Sequence, residues 1–119
     1  MEKTVNLTLP AQKQMLLVIR MTTSGVLARA NLSVDSLEDM LQAVEEAFGF
    51  LVEKSGCRQV SLDYDFLEKA VAVKIAAVDC PCACNKNALP EEVMRDVLEA
   101  FADEVVMEGK SITLTKYHE

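Results

Sequence analysis

The sequence lacks several features that would each point to a particular class of protein. No apolar run approaches the roughly 20 residues that a helix needs to cross a bilayer. There is no basic surplus, because 19 acidic side chains outnumber 12 basic ones and give a formal charge of −7. Nucleic-acid binding is therefore disfavoured, since proteins that bind phosphate backbones usually present a basic patch. Internal repeats, low-complexity tracts and linkers are also absent.

The beginning of the sequence, residues 1–10, has no long apolar segment of the kind found in secretory signal peptides. We therefore expect a cytoplasmic protein, in which the four cysteines stay reduced. Half of the 119 residues are hydrophobic, which is enough for a substantial core. The length predicts one domain that spans residues 1–119.

The strongest periodic signal is an amphipathic helix in the stretch Asn31–Glu53. Its apolar residues recur at steps of three and four, which places them on one helical stripe. Ser33 suits the N-cap, and Asp35 suits the positive end of the helix dipole. Gly56 predicts the end of the helix, because glycine readily takes a left-handed conformation. The predicted buried stripe comprises Leu37, Met40, Leu41, Val44, Ala47, Phe48, Leu51 and Val52.

The remaining pattern predicts two more helices and several strands. One helix is expected over Ala11–Ala30, where Gly25 would allow close packing. The other begins at Pro90, a residue that suits the first position of a helix. Its predicted apolar stripe comprises Val93, Val97, Leu98 and Phe101. Alternating residues predict strands at Thr4–Leu9, Gln59–Phe66, Ala70–Val78, Val105–Met107 and Ser111–Tyr117. The predicted fold class is α+β, a two-layer sandwich in which three helices cover one face of a mainly antiparallel mixed sheet.

This order of elements resembles the anti-sigma-factor serine kinases of bacteria, which belong to the GHKL superfamily of ATP-binding proteins. The matching segments are LTLPA at Leu7–Ala11, VIRMTTSGVLARANLS at Val18–Ser33, LEDMLQAVEEA at Leu37–Ala47 and FADEVVMEGKSITLTKY at Phe101–Tyr117. The resemblance covers nearly the whole chain and implies a histidine kinase/Hsp90-like ATPase fold. It also implies a sigma factor or an anti-sigma antagonist as partner, with Arg20 in the contact, and it favours a homodimer.

The first ATP-site motif of the family is only half preserved. In the family, Glu-Ala-x-x-Asn supplies a glutamate that helps to activate the attacking group and an asparagine that holds Mg²⁺. Glu46 and Ala47 match this motif, but Phe50 stands at the asparagine position. Mg²⁺ needs hard oxygen ligands, which a phenyl ring does not have. Glu46 is thus the vestigial base position, unless it is an ordinary solvated helix carboxylate.

The second motif, Asp-x-Gly-x-Gly, and the glycine-rich ATP lid are altered as well. Asp79 matches the adenine-reading aspartate, although aspartates at strand ends are also common as turn formers. The two glycines are replaced by Pro81 and Ala83. Proline fixes φ near −65°, whereas glycine permits the close approach of a ligand. The segment Cys80–Leu89 contains no glycine and is short for a lid. These departures predict a protein without kinase activity and without a bound ATP or Mg²⁺ cofactor.

Three cysteines, Cys80, Cys82 and Cys84, lie close together in the sequence. Thiolates favour soft metals, so these residues are the candidate ligands for a metal site or a redox pair. Structural zinc sites, however, usually space cysteines as C-x₂₋₄-C and use four ligands. A fourth ligand would have to come from elsewhere in the chain, where Cys57 and His118 stand. We expect no metal and reduced thiols.

These observations favour a degenerate anti-sigma regulatory factor that acts by protein–protein contact in transcriptional or stress signalling. The main alternative is an ATP-binding serine/threonine kinase of the anti-sigma type with a divergent site. A third hypothesis is a ligand or metal sensor in which the cysteine segment replaces the nucleotide pocket. Arg20 is either a partner contact or an ordinary solvent-facing arginine.

Overall fold

The computed structural model describes residues 4–80 and 89–118 of the chain. It contains five strands and three helices within these ranges. The strands are β1 (Thr4–Pro10), β2 (Gln59–Phe66), β3 (Ala70–Val78), β4 (Glu104–Glu108) and β5 (Ser111–Tyr117). The helices are α1 (Leu16–Leu27), α2 (Val34–Ser55) and α3 (Glu91–Glu99). This architecture is α+β, as the sequence predicts, and is consistent with a GHKL-like ATPase fold.

The five described strands form one sheet in the order β1-β2-β3-β5-β4, and every neighbouring pair is antiparallel. Alternate residues of the central strands are buried on the same face of the sheet, because side chains along a strand point to opposite faces. This buried face includes Val60, Leu62, Tyr64, Val73, Ile75, Ile112 and Leu114. On the opposite face, Lys74 is exposed and Ser61, Asp63 and Thr113 are half-buried.

The helix α2 forms the centre of the helical layer and packs against β3 and β5. The helices α1 and α3 lie against α2, and α3 also contacts β4. The predicted ends of α2 are confirmed: the hydroxyl of Ser33 accepts a hydrogen bond from the Ser36 N–H, and Gly56 is left-handed with φ 64°. Met40, Val44, Ala47 and Phe48 of this helix are fully buried. The core therefore lies between α2 and the middle strands.

The first helix is shorter than the sequence predicts. The Ala11 N–H donates a hydrogen bond to the Arg58 carbonyl at 3.0 Å, and Gln12 has extended backbone angles. A 3₁₀ turn at Lys13–Met15 follows, so α1 begins only at Leu16. The expected close packing at Gly25 is also wrong, because a Cβ atom there would meet nothing within 4 Å.

The predicted apolar stripe of the third helix is partly wrong. The buried residues of α3 are Met94 and Leu98, whereas Val93 is 44% exposed. Val97 is half-buried, as is Phe101 just beyond the helix. Neighbouring apolar residues in this short helix fit two overlapping stripes, and the position of α2 decides which stripe faces the core.

Candidate functional site

Glu46 and Phe50, which the resemblance assigns to the first ATP-site motif, lie one turn apart on α2 in different surroundings. Glu46 is half-buried, and its Oε1 atom accepts a hydrogen bond from Gln42 Nε2 at 2.9 Å. Phe50 is only 6% exposed and belongs to the hydrophobic core. The Lys54 ammonium lies 5.2 Å from the centroid of the Phe50 ring, a favourable arrangement of a cation and an aromatic face. Position 50 is thus part of the packing of α2.

Asp79 directly follows the last residue of β3. It is a non-glycine residue with a positive φ of 54°, a conformation that aspartate tolerates better than most residues. Its carbonyl accepts a hydrogen bond from the Arg58 N–H at 2.9 Å. Its carboxylate lies 3.9 Å from Arg58 Nη1, and the two side chains are 55% and 69% exposed respectively. No hydrogen bond or ion pair links Asp79 to Glu46 among the residues that the structure describes.

Arg20 lies on α1 and forms an ion pair with Glu45 of α2. Its Nη1 atom donates to both carboxylate oxygens of Glu45, at 2.9 and 3.2 Å. The Arg20 side chain remains 49% exposed, while that of Glu45 is 19% exposed. Within the described part of the chain, no hydrogen-bond partner is found for Nε or Nη2 of Arg20.

A groove of about 570 Å³ lies beside Arg20 between α1 and α2. It is lined by Leu17, Arg20, Met21, Ser24, Gly25, Glu38 and Leu41. Leu17 and Met21 are 64% and 67% exposed, which is high for large apolar side chains. Of the residues that line this surface, only Arg20 was predicted from the sequence as a partner contact. The signal for the surface was the run Leu16–Met21, which is apolar around most of the helix instead of on one stripe.

The cysteines are only partly within the described residues. Cys57 and Cys80 are half-buried free thiols, while Cys82 and Cys84 lie outside the described ranges. Among residues 4–80 and 89–118, no group of three or more His, Cys, Asp or Glu side chains is placed to hold a metal ion. The replacements Pro81 and Ala83, and most of the segment in which the family has its lid, also lie outside the described ranges.

The described helices include none that combines the length and the hydropathy needed to cross a bilayer.

No protein-family model matches the chain. The sequence is similar to Serine-protein kinase RsbW from Listeria innocua serovar 6a, with 26% identity over 141 residues. The alignment covers 98% of this chain and 88% of the Listeria kinase. Because the aligned length exceeds 119 residues, the kinase contains residues within the aligned region that this chain lacks.

Proposed function

We propose that this chain is an anti-sigma-type regulatory protein that binds a protein partner and does not transfer phosphate. Similarity to a serine-protein kinase along almost the whole chain supports the anti-sigma type of function. The α+β architecture agrees with that relationship. The position of Phe50 in the hydrophobic core is the observation that supports the absence of phosphate transfer.

The burial of Phe50 argues against a magnesium site on α2. The resemblance assigns this position to an asparagine that holds Mg²⁺ on the phosphates of ATP. Here the side chain has no oxygen atom, is 6% exposed and packs among apolar residues. Mg²⁺ requires near-octahedral oxygen ligands and is reluctant to lose its water. The residues present at this position therefore do not fit the ion.

The surroundings of Glu46 and Asp79 agree with this view. The Glu46 carboxylate accepts a hydrogen bond from Gln42 of the same helix, and the Asp79 carboxylate lies beside Arg58 just after β3. Both carboxylates thus have structural partners of their own. Phosphoryl transfer relies on metal ions and backbone donors that neutralise phosphate charge, so losing the metal ligand removes a central part of the chemistry.

We propose the groove between α1 and α2 as the surface that binds the partner protein. Exposed Leu17 and Met21 supply apolar contact area, and Arg20 supplies a planar guanidinium that is 49% exposed. Arginine is well suited to bind a carboxylate at a protein interface. The occupant that fits is a segment of a sigma factor or of an anti-sigma antagonist that presents apolar side chains and one acidic group. A homodimer remains part of the proposal because the resemblance favours it.

Affinity capture from the native cytosol tests the proposal. We expect the chain to capture a sigma factor or its antagonist, and Arg20→Ala to reduce the captured amount at least tenfold. Arg29→Ala is the matched control, because Arg29 is exposed, lies just beyond α1 and does not line the groove. Equal losses for both variants would contradict a specific role of Arg20. Capture of proteins unrelated to sigma regulation would contradict the proposed partner.

The second candidate function is an active serine kinase, which is favoured because the Listeria relative is named a serine-protein kinase. The captured partner provides the substrate for a direct test with labelled Mg-ATP. Transfer of labelled phosphate to the partner, abolished by Glu46→Gln, would establish this candidate. We expect no transfer.

A further inference from the structure

We propose that Cys57 and Cys80 form a redox pair that closes a reversible disulfide at the end of the β2–β3 ladder. The register of these strands pairs Gln59 with Val78. Each cysteine lies two residues beyond this last pair, Cys57 before β2 and Cys80 after β3. The sheet therefore places at one end two thiols that are 23 positions apart in the sequence.

One hydrogen bond limits the distance between the two cysteines. The Arg58 N–H donates to the Asp79 carbonyl with an N···O distance of 2.9 Å. The peptide unit that contains this N–H begins at Cα of Cys57, and the unit that contains this carbonyl ends at Cα of Cys80. With planar peptides of standard dimensions, the two Cα atoms lie within about 8 Å of each other whatever the neighbouring dihedrals.

The regular ladder ends at the Gln59–Val78 pair, because Asp79 has a left-handed backbone with φ 54°. The Arg58–Asp79 hydrogen bond nevertheless joins the two segments one residue beyond that pair. Disulfides usually have Cα atoms about 4.4–6.8 Å apart, a range that lies within the limit set by this hydrogen bond. The ion pair between the Arg58 and Asp79 side chains joins the same two chain segments.

The two thiols are chemically available for this reaction. Both are free and half-buried, which leaves access for a small reagent. The oxidant that we propose is a low-molecular-weight disulfide such as oxidised glutathione. One cysteine thiolate attacks a sulfur atom of this oxidant and releases the first glutathione thiolate. The second cysteine thiolate then attacks the mixed disulfide and releases the other. The two protons of the cysteines pass to the two glutathione thiolates, and the protein loses two electrons to the oxidant.

The resulting bond would join the ends of β2 and β3 directly beside Asp79. Disulfides in reducing compartments are usually transient and redox-sensing. This inference depends on the strand register and the Arg58–Asp79 hydrogen bond, and it does not require the proposed partner function.

Peptide mapping of the full chain after oxidation is the primary test. The reduced, metal-free protein is incubated with oxidised glutathione, digested without reduction and analysed by mass spectrometry. We expect a cross-linked peptide pair that contains Cys57 and Cys80, with a mass lower by two hydrogens, and we expect dithiothreitol to separate the pair. Bonds confined to Cys80, Cys82 and Cys84, with Cys57 unlinked, would contradict the proposal.

A pair of variants gives a second measurement. The variant Cys82→Ser/Cys84→Ser retains only Cys57 and Cys80, and we expect it to lose two titratable thiols without gaining glutathione. Adding Cys57→Ser leaves one thiol, which should instead acquire one glutathione. Two glutathiones on the double variant would contradict the pairing. Binding of about one zinc ion per chain, with both thiols unreactive until a chelator is added, would also contradict the pairing.

Discussion

At the scale of single residues, the most informative side chain in the core is Tyr64. It is among the largest fully buried side chains, and it lies on β2 beneath α1. Its hydroxyl group is 2.7 Å from the hydroxyl of Thr23, which is also fully buried. Each hydroxyl thus provides the hydrogen-bond partner that burial away from water requires. The contact fixes α1 to the sheet through two polar groups.

Replacing Tyr64 with phenylalanine removes this hydrogen bond and leaves Thr23 without its partner. We expect the free energy of unfolding to fall by about 1–2 kcal/mol. Tyr117→Phe is the control, because Tyr117 is 49% exposed and should tolerate the change within a few tenths of a kcal/mol. Urea denaturation of both variants measures the difference. Equal free energies of unfolding for Tyr64→Phe and Tyr117→Phe would show that the Thr23–Tyr64 hydrogen bond contributes little to stability.

Tyr64 also gives the protein a specific pH dependence. Burial raises the pKa of its phenol above the ordinary value of 10.0, and the hydrogen bond to Thr23 opposes this effect more weakly. The unfolded chain therefore loses this proton at lower pH than the folded chain. The contribution to stability is fully present below about pH 10 and is lost as the pH rises through the folded pKa. Urea unfolding between pH 8 and 11.5 should show a steeper loss for the native chain than for Tyr64→Phe, and parallel curves would contradict this.

Phe50 allows a test of the packing at the position that the resemblance assigns to a magnesium ligand. The substitution Phe50→Asn places a polar amide in a site that is 6% exposed. We expect a loss of about 3 kcal/mol or more in unfolding free energy, from lost burial and an unsatisfied amide. Phe50→Leu keeps an apolar side chain and should lose less. A stable Phe50→Asn variant that binds Mg-ATP would contradict the packing argument.

At the scale of elements, α2 could be predicted because its signals are local. Its cap at Ser33 and its left-handed end at Gly56 each depend on a few neighbouring residues. The start of α1 could not be predicted from periodicity, since the Ala11 N–H donates a hydrogen bond to the carbonyl of Arg58, which directly precedes the distant strand β2. Val93 was misassigned because α3 is short and its apolar residues fit two stripes. Burial in such a helix depends on where its neighbours lie.

Two glycines allow a matched test of these helix and turn assignments. Gly25 lies inside α1, and Gly109 lies in the β4–β5 turn with φ +57°. An added Cβ would meet nothing within 4 Å at either position, so only the backbone conformation differs. Gly25→Ala should stabilise the protein by about 0.5–1 kcal/mol, because alanine favours the helix. Gly109→Ala should destabilise it by about 1–2 kcal/mol. Thermal unfolding would contradict the assignments if both shifts had the same sign.

At the scale of the whole molecule, the fold could be predicted and the arrangement of the site only partly. Alternating strands and amphipathic helices indicate two layers, and the structure confirms an antiparallel sheet below three helices in its described ranges. The proposed pairing of Cys57 with Cys80 depends on strand register, which composition and spacing do not give. The groove beside Arg20 depends on how α1 crosses α2. Both features are properties of packing between distant segments.

The proposal that this chain does not bind Mg-ATP is tested most directly by isothermal titration of the purified chain with ATP and Mg²⁺. Phe50 lies in the core where the resemblance requires a magnesium ligand, and the net charge of −7 provides no attraction for a polyanion. We therefore predict no saturable binding heat at micromolar ATP. Saturable binding in this range, weakened by Asp79→Asn, would contradict the account.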